Sequence, residues 1–229
     1  TTIESKAILN AFGIPSTQTL IATTATEALI AAESVGFPVV MKINSPDITH
    51  KQDVGGVQLN ITTAEAVRNF FNQLTDSARK KRPDAKILGV TIERMYKTPN
   101  DRELMIGVLK DPVFGPVINF GAGGSLVEVM QDRALALPPL NQYLVKNLIA
   151  STHIAKLLGD FRNKPAVNLK SIENLLLHVS EMVCELPQIQ EMDINPLIVN
   201  DKELIAVDAR IVIHLGGGAQ SPSQMAILP

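Results

Sequence analysis

Two apolar periods alternate along this chain, and that alternation limits its fold more than any other feature. Ile172, Leu175, Leu176, Val179, Met182, Val183 and Leu186 follow one another at steps of three or one, which lays a single stripe along a helix over residues 171–186. A shorter stripe, Ala66, Val67, Phe70, Phe71 and Leu74, predicts a second helix opened by Thr63. Helices are also expected over 4–12, ended by Gly13 and Pro15, over 25–35 behind the cap Thr24, and over 142–158. Between them lie short β-branched runs. Strands are expected over 39–43, 57–61, 87–92, 103–109, 117–120 and 193–199. A last strand is expected over 204–213, joined to the one before by the turn Asn200-Asp201. Mixed strands and helices of this length predict an α+β molecule in two lobes, with antiparallel or mixed sheets and flanking helices. The small lobe is expected over about 20–95 and the large over about 96–213 together with the helix at 4–13. A seam falls near residues 96–101.

Composition removes several classes of function. Lys plus Arg number 21 and Asp plus Glu 23, a net charge of -2. Generic nucleic-acid binding rests on neutralising phosphates, so no nucleic-acid partner is expected. No apolar run approaches the roughly 20 residues that span a bilayer, so no membrane is expected either. The single cysteine, Cys184, excludes an internal disulfide and a cysteine-based zinc site. Residues 1–10 carry no basic segment followed by an apolar one, and a reducing cytoplasm is the expected compartment. The chain starts without Met and stops at Pro229, and the run Gly216-Gly217-Gly218-Ala219-Gln220-Ser221 reads as a tether, so an excised part of a larger protein is expected.

Three segments could carry chemistry. The first begins at Lys42, inside an apolar strand where a lysine is disfavoured unless paired. Either it snorkels to the strand end, or its ammonium meets an anion such as a phosphate. A polar loop follows, with His50, Lys51, Gly55 and Gly56. Glycines let backbone N–H groups approach phosphate oxygens, and a histidine there is either a surface residue or a phosphoryl acceptor. The second segment is Asp193-Ile194-Asn195-Pro196-Leu197 with Asp208 on the following strand. Asp193 and Asn195 are two apart and share a strand face. Oxygen ligands on neighbouring strands suit Mg²⁺, though a solvated acidic sheet face has the same pattern. The third is Glu93 at the seam and Glu103 beyond it, either nucleoside acceptors or solvated edge acids. There is no Walker loop, and Gly121-Ala122-Gly123-Gly124 lacks the sixth-position glycine of a dinucleotide fingerprint, so a strand-ending glycine turn is its plain reading.

Taken together, the segment from Ser45-Pro46-Asp47 through His50-Lys51 to Gly55-Gly56-Val57, the turn Asp111-Pro112-Val113-Phe114-Gly115-Pro116, the glycine turn, and the Asp193 to Leu197 motif with Asp208-Ala209-Arg210 resemble the ATP-grasp domain of NDP-forming acyl-CoA synthetases. The resemblance runs from about residue 4 to 213. It implies an enzyme in which two α+β lobes grip ATP or ADP with Mg²⁺. Lys42 would hold the phosphates and Gly55 and Gly56 the loop above them, with Glu93 at the adenine hinge and Glu103 near the ribose. Asn195 and Asp208 would bind the metal, and His50 and Asp193 would be catalytic. Phosphoryl groups would pass between acyl phosphate and ADP through His50, with acyl-CoA made in CoA-binding synthetase domains outside this chain. Residues 132–141 resemble the bacterial branch fused to a GNAT-type protein lysine acetyltransferase, which implies residues 214–229 as its linker. That branch also implies an alternative role, a non-catalytic ligand sensor controlling the acetyltransferase. A homo-oligomer is compatible with all of this. One geometric expectation underlies it: Lys42 and Asp208 should face each other across one cleft.

Overall fold

The computed structural model describes residues 1–48, 50–96, 98, 100–124, 132–161 and 163–214. Helix α1 (Thr2–Ala11) opens with a capping box, in which Thr1 and Glu4 satisfy each other's backbone donors. Strand β1 (Thr19–Ala22) follows, then α2 (Ala25–Val35), capped by the Thr24 hydroxyl. Strands β2 (Val39–Asn44) and β3 (Val57–Ile61) flank the polar loop, and α3 (Ala64–Lys81) starts at the cap Thr63. Strand β4 (Gly89–Arg94) completes a sheet of order β1-β4-β2-β3. Its apolar core joins Met41, Ile43 and Ile92 to Val67, Phe71 and Leu74 of α3 and to alanines of α2.

The second sheet begins with β5 (Arg102–Asp111) and β6 (Gly115–Ala122), a hairpin whose turn is held by Asp111 accepting from the N–H groups of Val113 and Phe114. It continues with β7 (Arg133–Ala136), α4 (Gln142–Ala150), α5 (Leu169–Glu185), β8 (Ile189–Val199), β9 (Leu204–Ala206) and β10 (Ala209–Ile213). The order is β10-β8-β5-β6-β7, with β9 also paired to β8, and every strand pair in both sheets is antiparallel. Its core joins Ile106, Ile118, Phe120 and Ile194 to Leu176, Val179 and Met182 of α5, and Leu9 of α1 belongs to it. The first helix of the chain therefore packs on the second sheet, not on the first.

The structure departs from the sequence expectations in three places. The helix expected to reach residue 158 stops at Ala150. There the Ser151 and Thr152 hydroxyls bond back to Asn147 and Ile149 carbonyls, and a separate 3₁₀ turn (Ile154–Leu157) starts where Asp132 accepts from the N–H groups of His153 and Ile154. Strands β1 and β7 were not expected; they are four residues each and lie at sheet edges, so pairing rather than local pattern creates them. The final strand expected over 204–213 is broken at Val207 and Asp208. The break faces Asn195-Pro196, where Val207 N–H donates to the Pro196 carbonyl and Asn195 N–H to the Asp208 carbonyl. Asp208 thus sits on a kink between β9 and β10 rather than within a strand.

A buried cation staples the second lobe. Arg102 at the start of β5 is 6% exposed and donates to the carbonyls of Leu157 (2.8 Å), Pro165 (3.1 Å) and Gly159 (3.3 Å) as well as Asn100. Arg102→Met would leave these carbonyls without their donor. It is expected to destabilise the chain by about 2–4 kcal/mol, read as a lower urea midpoint at unchanged slope. No helix among the described residues is long and apolar enough to cross a membrane.

Candidate active site

A cleft of about 510 Å³ opens between the two sheets. That size falls within the range of small-molecule sites. One wall comes from the first lobe: Val40 and Lys42 of β2, Val57 and Leu59 of β3, Glu93 and Arg94 at the end of β4, and Met95 and Tyr96 just after it. The other comes from the second: Glu103 of β5, Asn195, Pro196 and Ile198 of β8, and the kink at Val207 and Asp208. Residues 50–53 of the polar loop border it, and His50 also borders a smaller cavity with Asp47, Ile48 and Arg82.

Alternation along β2 turns Val39, Met41 and Ile43 into the core and Lys42 into the cleft. The Lys42 ammonium lies 3.5 Å from Asp208 Oδ2 and 3.5 Å from Glu93 Oε2. Residues 166 positions apart in sequence, on different lobes, thus meet as the geometric expectation required. Burial disfavours the Lys42 ammonium, but Asp208 and Glu93 outweigh it and hold its pKa above the ordinary lysine value. Asp208 uses Oδ1 to accept from Ala209 N–H, and its side chain is 38% exposed. A reachable carboxylate beside a cation is the arrangement that an entering metal and phosphate can exchange with.

Asn195 Oδ1 accepts from Gly124 N–H at 2.8 Å and keeps a second lone pair. One amide oxygen and one carboxylate suit Mg²⁺, which usually takes one or two protein carboxylates and fills its octahedron with phosphate and water. No group of three His, Cys, Asp or Glu among the described residues could hold a metal without a ligand's help. The glycine turn earns its composition by close approach. A Cβ on Gly123 would lie 2.1 Å from the Leu104 carbonyl oxygen, and one on Gly124 (φ +61°) 1.5 Å from Glu103 Oε2. Gly124 therefore touches both Asn195 and Glu103. Gly124→Ala is expected to displace Glu103, with a stability change of about 1 kcal/mol, measured by thermal melting.

Three expected roles take a different form. Glu93 is 2% exposed, and four groups already converge on its carboxylate: the hydroxyls of Thr17 (3.3 Å) and Thr19 (3.1 Å), Lys42 at 3.5 Å and Lys6 at 3.2 Å. Glu93 is thus engaged by donors of the protein itself rather than standing free at the cleft wall. Gly55 and Gly56 lie off the cleft lining. Their N–H groups donate to the Gln52 and Lys51 carbonyls at 2.9 and 2.7 Å, and a Cβ on Gly56 would lie 2.6 Å from Ile43 Cγ2. Both glycines shape the loop through these contacts. Asp193 is paired across the sheet with Gly107 and Arg210 and is not among the cleft-lining residues. Burial raises its pKa first, Asp208 and Glu191 add to this, and Arg133 and Arg210 oppose it.

Lys6 joins this site although nothing in its own stretch of sequence marks it. This lysine of α1 is 3% exposed, and its ammonium donates to Thr17 (2.7 Å) and Thr19 (2.9 Å) while pairing with Glu93. Burial lowers its pKa, Glu93 opposes that, and Lys42 reinforces it.

A family model described as the ATP-grasp domain matches residues 1–213. The chain belongs to the ATP-grasp family. This ATP-grasp domain is 38% identical over 210 residues to the β subunit of an ADP-forming acetate–CoA ligase of Pyrococcus furiosus, covering 92% of this chain and 90% of that one. Among solved structures it is similar to acetyl-coenzyme A synthetase 1 of Ca. Korarchaeum cryptofilum in complex with coenzyme A and Ca-AMPCP. The TM-score is 0.86 at 36% identity, over 92% of this chain and 91% of that one. A second structure of that synthetase, with coenzyme A and Mg-AMPPCP, has its phosphohistidine segment pointing towards the nucleotide-binding site. There the TM-score is 0.81 at 33% identity, over 93% and 92% of the two chains.

Proposed function

We propose that the cleft binds ATP or ADP with Mg²⁺ and that His50 exchanges a phosphoryl group with it, as one step of an ADP-forming acyl-CoA synthetase. The observation that carries this reading is the meeting of Lys42 with Asp208 at 3.5 Å in a cleft that His50 also borders. Phosphoryl transfer asks a protein mainly for positioning and charge neutralisation. Lys42 supplies a cation at the phosphates. Asn195 and Asp208 would hold Mg²⁺, which when bound neutralises charge on the β- and γ-phosphates. Glu103, exposed at the cleft edge, accepts from a ribose hydroxyl. Val40, Leu59, Ile198 and Val207 give the base an apolar surface.

In the direction of ATP use, a neutral ring nitrogen of His50 attacks the γ-phosphorus. The bond to the bridging oxygen breaks, ADP leaves with that electron pair, and the imidazole proton passes to solvent. In the reverse direction phosphohistidine returns the phosphoryl group to ADP. The other half of the reaction, acyl phosphate and acyl-CoA, belongs to a CoA-binding partner. The Pyrococcus relative's designation as a β subunit supports such a partner. A linked acetyltransferase is supported only by the sequence of residues 132–141 and of the tail over 214–229, of which 215–229 lie outside the described residues.

The test is incubation with γ-labelled ATP and Mg²⁺, with and without ADP as a chase. Label that is acid-labile and alkali-stable, and that ADP removes, is the expected result. A chain that binds Mg·ATP yet stays unlabelled, alone and with a CoA-binding partner present, would contradict the transfer role.

A further inference from the structure

We infer that Lys6 is a positioning residue for the nucleotide: it neutralises Glu93 so that Lys42 is free to serve the phosphates. The inference rests on the nucleotide reading of the cleft.

Lys42 stands between two carboxylates that differ in access. Asp208 is 38% exposed by its side chain and Glu93 is 2% exposed. When a metal draws Asp208, only Glu93 remains beside Lys42, and Glu93 cannot reach solvent. An isolated carboxylate there would claim the Lys42 charge for itself and repel the phosphates. The structure supplies a second cation for it. Lys6 arrives from α1 on the other lobe, with its ammonium 3.2 Å from Glu93 Oε1 and its side chain 4% exposed. Its remaining donors are satisfied by Thr17 and Thr19, and both threonines in turn donate to Glu93. Thr17 is itself tied to the second lobe by its N–H to the Ala206 carbonyl, and its single hydroxyl proton is shared between Glu93 (3.3 Å) and the Val207 carbonyl (3.2 Å). All three donors of the ammonium are thus committed, and it has no freedom to follow a ligand.

The charges show what this does. Two ammonium and two carboxylate groups, Lys6, Glu93, Lys42 and Asp208, cancel in the empty cleft. Metal and phosphate then exchange with the accessible pair, Asp208 and Lys42. The inaccessible pair, Lys6 and Glu93, stays neutral beneath them. Without Lys6 the floor of the site would carry a buried negative charge under a polyanion. Lys6 and Glu93 also lie on different lobes, so the same contact fixes the spacing of the cleft walls.

The experiment is titration of the full 229-residue chain with Mg·AMPPNP by calorimetry, for wild type, Lys6→Met, Glu93→Gln and the double variant, with urea unfolding of each. Lys6→Met is expected to weaken binding about tenfold. Adding Glu93→Gln to it is expected to recover most of that loss, because the unpaired charge is then gone. A packing role alone would not respond to a second neutralisation. Equal affinity in Lys6→Met and wild type overturns the inference, and so does a double variant that binds no better than Lys6→Met. Should Lys6→Met not fold, the comparison moves to the Glu93→Gln background. There adding Lys6→Met is expected to change affinity less than about threefold, and a tenfold loss overturns the inference. A wild-type chain that binds no nucleotide removes the functional reading itself, which separates that failure from failure of the Lys6 role.

Discussion

Lys42→Met is expected to weaken Mg·ATP binding by about 2–3 kcal/mol, roughly 30- to 150-fold. The figure follows from losing a charge-assisted contact to phosphate in a site walled by low-dielectric groups. The variant keeps its fold, because Glu93 retains Lys6, Thr17 and Thr19 as partners and Asp208 can turn to solvent. The unfolding midpoint should therefore fall far less than the affinity does. Calorimetry on the variant and the wild type at one ionic strength reads the difference. Unchanged affinity would mean that the phosphates lie elsewhere.

His50→Gln separates binding from chemistry. His50 is exposed on the polar loop, and its bond to that loop, the carbonyl accepting from Asp53 N–H, is a backbone contact that His50→Gln retains. Nucleotide affinity should stay within about threefold of wild type. The acid-labile label from γ-labelled ATP should drop to background, a loss of at least about a hundredfold, since glutamine offers no nucleophile. Equal labelling of the variant would move the acceptor to another residue, and a parallel loss of binding would make His50 a ligand contact instead.

How much of this was legible before the structure depends on which residues announce themselves. Lys42 does, because a lysine inside Val-Val-Met-Lys-Ile breaks the pattern of a buried strand. Asn195 and Asp208 do, because oxygen-bearing side chains on successive strands suit a Mg²⁺ ion. The two lobes and their helices could be read from apolar period and from the caps Thr24 and Thr63, whereas the caps Asn141 and Asn168 emerged only in the structure. Lys6 does not announce itself. A lysine on a short helix reads as a solvated charge, and only the packing of α1 on the second lobe turns it inward. Glu93 looked like an acceptor waiting for a ligand, because its donors come from positions 6, 17, 19 and 42, a convergence that no local window contains. The overrun of α4 has a similar cause. The apolar period continues through Ile154 and Leu158 while the buried carboxylate of Asp132, from before β7, starts a new turn at His153.

The most direct measurement is a crystal structure of the chain grown with Mn²⁺ and AMPPNP, with the metal located by its anomalous signal. The account predicts one site between the lobes. The metal should stand about 2.0–2.3 Å from Asn195 Oδ1, from an Asp208 carboxylate oxygen and from phosphate oxygens. A phosphate oxygen should lie within hydrogen-bond distance of the Lys42 ammonium, with Glu93 still paired to Lys6. A nucleotide bound outside this cleft, or a metal whose ligands include neither Asn195 nor Asp208, would contradict it.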